Sequence, residues 1–225
     1  MFKHIHHEFP VMLKETASDG HRLYTTPDGR QYPSVTTILK EHSREGITKW
    51  QKKVGMAEAN RISKKASVRG DSVHKVLEKH LRNEDISRAN LMPEAKAVFH
   101  RMKKVVDLRV TEVHAIEAPL FSHTLRLAGT TDFVGLYDNY LSIVDYKTSL
   151  RPKKLAWVSG YFMQGVAYAH MWEEMMGREI DQIVVLIGID NTEFCQSFKL
   201  LAHEFRPYMN DLISYRDKYE QRMAA

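Results

Sequence analysis

The chain has 225 residues, 43% hydrophobic and 27% charged, an ordinary globular balance with enough length to bury a substantial core. A net charge of +5 and a pI near 9.1 point to an anionic partner, while the single Cys195 excludes intrachain disulfides and any zinc or iron–sulfur site built from several cysteines. No apolar run reaches membrane-spanning length, and Met1 to His7 lacks the apolar stretch of a signal peptide. No membrane partner is therefore expected, and the location is read as intracellular and cytoplasmic, in the host cytoplasm if the gene is carried by a phage.

In chain order, the first thirty residues read as turns and short strands, punctuated by Asp19-Gly20 and Pro27-Asp28-Gly29. His4, His6 and His7 lack an acidic partner in a fixed element and are expected to be solvated. Tyr32 to Leu39 leads into a helical stretch whose Ser/Thr cluster offers N-caps. From Lys40 to Lys79, eleven Lys and Arg residues stand against five Asp and Glu, with Trp50 among them. Such a stretch suits a phosphate backbone and stacked bases, although a charge run is more often a solvated face. A helix entered through Gly70 is expected next, burying Val73, Val76, Leu77 and Leu81, with His74 on the border of that stripe and Glu78 one turn later. A lone histidine in such a place is more often structural than a ligand. Pro93 opens a further amphipathic helix through Ala95, Val98, Phe99, Met102, Val105 and Val106. Val113 to Phe121 reads as a strand, with Glu117 between Ile116 and Ala118 as a candidate third acid or an edge-strand residue.

The chain is organised around Gly129 to Ser149. Two β-branched and aromatic runs flank Asp138-Asn139, a pair suited to the positive φ angles of a tight hairpin. With those two as the turn, Tyr137 faces Tyr140, Val134 faces Ile143 and Asp132 faces Asp145. One face then carries Val134, Leu136, Leu141 and Ile143 and ends in Asp132, Asp145 and Lys147. Opposed buried carboxylates repel and need a compensating cation, most economically a divalent metal. Exposed strand ends, or a slip of one residue in register, are the alternative. Beyond the hairpin, Arg151 to Lys154 is a basic loop, and a helix from about Trp157 to Met176 stops at Gly177 with Gln164 and Tyr168 on one face. Gln182–Ile189 and Phe194–Leu200 read as strands joined by an Asp190-Asn191 turn, followed by a last helix from about His203. This order gives an α/β domain with a mixed sheet flanked by helices.

Gly129-Thr130-Thr131-Asp132, Asp145-Tyr146-Lys147-Thr148-Ser149 and Gln164 to Tyr168 together resemble the PD-(D/E)XK nuclease superfamily. The RecB-like exonuclease branch is the nearer resemblance, in the group of mitochondrial genome maintenance exonucleases and related phage exonucleases. His74 in Arg69 to His74, and Pro33 to Leu39, match that branch as well. The resemblance implies a PD-(D/E)XK-like sheet in a single nuclease domain over 1–225. Within it, 1–110 would hold the N-terminal strands and basic helices, 111–200 the catalytic sheet and 201–225 the last helix.

It further implies that Asp132, Asp145, the Tyr146 carbonyl, His74 and Glu117 hold one or two Mg²⁺ or Mn²⁺ ions. Lys147 would orient or deprotonate the attacking water and offset transition-state charge, with Gln164 and Tyr168 positioning DNA or the lysine. Ser34, Trp50, Lys52, Lys53, Lys64, Lys65, Arg69, Thr148 and Lys153 are the candidates for contacting DNA. The activity expected is a metal-dependent DNA exonuclease acting on single-stranded ends in replication, repair or recombination, as a monomer and without an iron–sulfur cluster. The alternatives are a double-strand-resecting recombination exonuclease and a non-catalytic nucleic-acid-binding module.

Overall fold

The central hairpin forms in the register its turn dictates: Tyr137 pairs with Tyr140, Leu136 with Leu141, Val134 with Ile143 and Phe133 with Val144. Asp138 and Asn139 adopt φ of 52° and 66°, the left-handed pair a two-residue turn of this hand requires. The structure is a computed structural model that describes residues 1–17 and 21–224, so the Asp19-Gly20 turn lies outside the described residues.

The strands are β1 (Lys3–His4), β2 (Leu13–Thr16), β3 (Arg22–Thr25), β4 (Gln31–Pro33), β5 (Val110–Ser122), β6 (Leu127–Tyr137), β7 (Tyr140–Ser149), β8 (Gln182–Ile189) and β9 (Cys195–Leu201). The helices are α1 (Val35–Val54), α2 (Met56–Leu81), α3 (Pro93–Arg109), α4 (Ser159–Met176) and α5 (Phe205–Ala224). One mixed six-stranded sheet has the order β1-β5-β6-β7-β8-β9, and β2-β3-β4 form a separate antiparallel sheet. Strands β7 and β8 run parallel, so the chain must cross over between them, and α4 is that crossover.

Both faces of the hairpin are buried. Val134, Leu141 and Ile143 join Phe162, Val166, Trp172 and Leu212 in one core under α4 and α5. Phe133, Tyr137, Val144 and Tyr146 join Val73, Leu77, Val98 and Met102 in a second core under α2 and α3. Helix-covered faces on both sides explain why β8 is buried throughout and apolar after Gln182.

Several expectations change. Gly70 does not open a helix: α2 runs unbroken through it, and the helix boundary falls at Gly55, where φ is 85°. Gly70 faces Thr148 of β7, where a Cβ would make an ordinary 3.6 Å contact with its Oγ1. Residues Leu155–Trp157 form a 3₁₀ turn before α4, which ends at a left-handed Gly177. The N-terminal histidines are not all solvated. His4 and His6 stay exposed, with His4 Nε2 2.9 Å from the Leu81 carbonyl, whereas half-buried His7 has its Nε2 3.0 Å from His114 Nδ1 and its ring edge-on to Trp172. Strand β1 docks parallel to β5 and carries them there. Among the described residues, no helix is long and apolar enough to cross a membrane.

Candidate functional site

The β6–β7 ladder stops at Phe133 and Val144. Just beyond that end, one residue along β6 and two along β7, the Tyr146 N–H donates to Asp132 Oδ2 at 2.8 Å, so a carboxylate takes a backbone donor that the neighbouring strand would otherwise have satisfied. Strand β7 keeps pairing with β8 out to Ser149, which holds Asp145 and Lys147 in place beyond the end of that ladder.

On the other side of β6, Ile116 pairs with Phe133 and Ala118 with Thr131, so Glu117 stands across from Asp132. Glu117 has φ of 49°. For an L-residue that conformation costs roughly 1–2 kcal/mol and is found where surrounding structure imposes it, often at functional sites. His74 reaches the same place from α2, with Nδ1 3.6 Å from Asp132 Oδ1. Ligand atoms of His74, Glu117 and Asp132 all lie within 4.8 Å of one another.

Asp145 is almost fully buried, and Lys147 Nζ lies 2.5 Å from its Oδ1. The same ammonium sits 5.1 Å over the Tyr161 ring. The ammonium is equally close to Asp145 Oδ2, at 2.5 Å, so it bridges both carboxylate oxygens.

His74, Glu117 and Asp132 line a cleft of about 410 Å³, walled by α2, by β5 and β6, by Gln164 and Tyr168 of α4, by the start of α1, and by Lys14, Arg22 and Tyr24 of the small sheet; Asp145, Lys147 and Tyr161 lie outside that lining. An isolated bridge between Ser34 and Ala128 anchors that small sheet's end to β6. Tyr168 fits against β6 only because residue 129 is glycine, where a Cβ would come within 2.8 Å of its ring.

The electrostatics show an excess of negative charge. Burial, then Asp132 and Glu78, push the Glu117 carboxyl up to about 7. Burial also pushes Asp145 up, to about 6, against the pull of Lys147. Burial works against the charged form of His74, but Asp132 outweighs it and raises the imidazole. Burial likewise opposes ionisation of Asp132, yet His74 and Lys147 bring that carboxyl below its usual range. Burial disfavours the charged Lys147, and Asp145 and Asp132 more than restore it.

Two carboxylates and an imidazole converging on one point offer the oxygen and nitrogen donors that fit a divalent cation. Asp145 is not in the tight three-residue group; it is drawn to Lys147 instead.

The remaining sequence candidates divide. Ser34 lines the cleft, but its Oγ is also the N-cap of α1 and accepts from Thr37 N. Arg69 is buried in an ion pair with Asp190, which commits it to tying α2 to the end of β8 and takes it off the exposed basic track. Lys52, Lys53, Lys64 and Lys65 are exposed on α1 and α2 and lie outside the cleft lining, as does half-buried Trp50; Lys65 pairs with Glu94 at 3.2 Å. Thr148 lies against α2, and Lys153 is fixed through its backbone to Gln196.

Sequence reasoning missed Tyr161, Arg22 and Lys14. Tyr161 lies three and seven residues before Gln164 and Tyr168, so the helical period already placed it on their face. Arg22 and Lys14 depend on how the small sheet docks, which no local pattern encodes.

No curated protein gives a significant match to the chain. The sequence profile of the PD-(D/E)XK nuclease superfamily matches residues 48–208, a span that contains His74, Glu117, Asp132, Asp145, Lys147, Gln164 and Tyr168. With that profile covering most of its length and a mixed sheet flanked by helices, the chain belongs to the PD-(D/E)XK nuclease superfamily, a family of metal-dependent nucleases.

Proposed function

We propose that the protein is a Mg²⁺- or Mn²⁺-dependent DNA exonuclease that hydrolyses phosphodiester bonds from single-stranded ends, in the manner of the RecB-like branch, during replication, repair or recombination. The observation that carries the reading is the convergence of His74, Glu117 and Asp132 within 4.8 Å, beside the Lys147–Asp145 pair. Asp132, Glu117 and His74 would hold the cation, with Asp145 and the Tyr146 carbonyl completing its surroundings. When bound there, a divalent ion neutralises charge on the scissile phosphate and lowers the pKa of water.

The chain's own groups supply the rest. Lys147, locked against Asp145 and capped by the Tyr161 ring, presents a fixed ammonium to a phosphate oxygen. The Tyr146 N–H holds Asp132 by one oxygen and leaves the other directed toward His74. Gln164 hydrogen-bonds Tyr168, and the pair forms the α4 side of the cleft where a strand would rest. DNA as the substrate is supported by the net charge of +5 and by the exposed lysines of α1 and α2. The preference for single-stranded ends rests on the resemblance to the RecB-like branch.

A time course on end-labelled single- and double-stranded DNA, with Mg²⁺ and with EDTA, tests this reading. Metal-dependent release of short products from single-stranded ends is expected. No hydrolysis of either substrate in Mg²⁺ or Mn²⁺ would overturn it.

A further inference from the structure

A second concavity adjoins the acid cleft. It lies between α1 and the start of α4, and it shares Thr36 and Gln164 with the cleft and Tyr161 with the Lys147 contact. Its outer wall is Trp157, which is 59% exposed, facing Ile47, which is 46% exposed. A tryptophan left this open on a rigid turn is unusual, because burial of its ring would contribute stability. Among the described residues, the ring's recorded partner is Lys154, whose Nζ stands 5.6 Å over it. Among the described residues, the lining carries no carboxylate, and Lys40 adds a second cation.

Tyr161, Gln164 and Tyr168 follow one another at helical spacing on α4, and Trp157 on the 3₁₀ turn before it lines the same groove as Tyr161 and Gln164, so this wall runs from the groove into the acid cleft. Trp157 stands seven positions before Gln164, so the groove lies beyond the cleft along the same wall.

We infer that this groove is a nucleobase site, in which an unpaired base of the substrate strand stacks on Trp157 a few nucleotides from the bond being cut. The inference rests on the proposed nuclease reading and narrows its substrate to a strand whose bases are free. An aromatic face binds any base by stacking, and the neighbouring ammonium of Lys154 suits the attached phosphate. A base held in a duplex has no face to offer, so the site discriminates by strandedness and not by sequence.

The test uses the full chain in EDTA, so that binding is measured apart from hydrolysis. Short linear single strands carrying one 2-aminopurine at successive positions are titrated with wild-type protein, Trp157→Ala and Trp157→Phe. In wild type, the fluorescence should be quenched at one position several nucleotides from the end. Trp157→Ala should remove that quench and weaken binding about tenfold, whereas Trp157→Phe should retain most of both. An abasic nucleotide at that position should weaken wild type and leave Trp157→Ala unaffected, and blunt duplex binding should be the same for all three proteins. Equal affinity and an unchanged quench profile in Trp157→Ala, with hydrolysis in Mg²⁺ intact, would overturn the base site alone. A wild-type protein that neither binds nor cuts single strands would overturn the nuclease reading together with it.

Discussion

Lys147 Nζ lies 2.5 Å from Asp145 Oδ1, two residues back along β7, and both side chains point to the end of the sheet where the β6–β7 ladder has stopped. The ion pair is largely enclosed, so each partner depends on the other. Asp132→Asn, Asp145→Asn and Lys147→Ala should each lower the rate of DNA hydrolysis by about three orders of magnitude. Lys147→Ala should also cost about 3–5 kcal/mol of stability, because it strands a buried carboxylate. Initial rates and thermal melts of the three variants check this. Near-wild-type turnover in any one of them would remove that residue from the catalytic set.

Glu117 should show activity and stability in opposition. Its φ of 49° is left-handed, and burial with two neighbouring carboxylates already works against its ionised form. Glu117→Gly relieves the backbone and removes the repulsion, so the melting temperature should rise by about 2–4 °C while hydrolysis collapses. Glu117→Gln keeps the strained backbone and should gain less. A clear drop in melting temperature for Glu117→Gly would show that the conformation is not strained.

His74 can be separated from a purely structural role by metal titration. Its Nδ1 lies 3.6 Å from Asp132, inside the three-residue group. His74→Ala should raise the Mg²⁺ or Mn²⁺ concentration needed for half-maximal hydrolysis by roughly 10- to 100-fold. An unaltered titration curve accompanied by a lower melting temperature would assign His74 to packing alone.

Acid should loosen the docked N-terminus. His7 and His114 are hydrogen-bonded at 3.0 Å, and burial lowers both, helped by Arg178 and by charges of the other histidines, against the pull of Glu112 on His114. Because their folded pKa values lie below 6.5, the contribution is complete above about pH 6.5. It is lost as pH falls through the folded values. The melting temperature of wild type should therefore decline from pH 7 toward pH 5 more steeply than that of His7→Gln. Parallel profiles would mean that the pair does not titrate in this range.

The exposed lysines of α1 and α2 should act on binding and not on metal use. Neutralising Lys52, Lys53, Lys64 and Lys65 should weaken single-stranded DNA binding and flatten log affinity against log salt by about 0.7 per lost phosphate contact. Half-maximal metal concentration should stay where it was. A salt slope identical to wild type would identify this run as a solvated surface.

The parts of the fold written in local patterns were legible. Alternation about Asp138-Asn139 fixed the hairpin register to the residue, and the 3.6-residue spacing of Val98, Phe99, Met102 and Val106 gave α3 its buried side. The candidate site was legible as far as the hairpin reached: Asp132, Asp145 and Lys147 do meet at its end, and His74 and Glu117 stand beside them. What failed depended on distant partners. Arg69 reads as another basic surface residue until Asp190, 121 positions later, is found against it. His7 reads as solvated until β1 sets it beside His114. The left-handed backbone at Glu117 leaves no mark in composition, because a non-glycine residue is held there by the strands on either side.

Gly129 and Tyr168 carry a consequence for how such a chain can vary over descent. A single methyl group at 129 would collide with the tyrosine ring at 2.8 Å, and a smaller residue at 168 alone would open a void in the cleft wall. Each change is harmful by itself, while the two together could be tolerated. Lineages should therefore either keep both residues or exchange both, so that positions 129 and 168 covary across 38 intervening positions of otherwise independent drift.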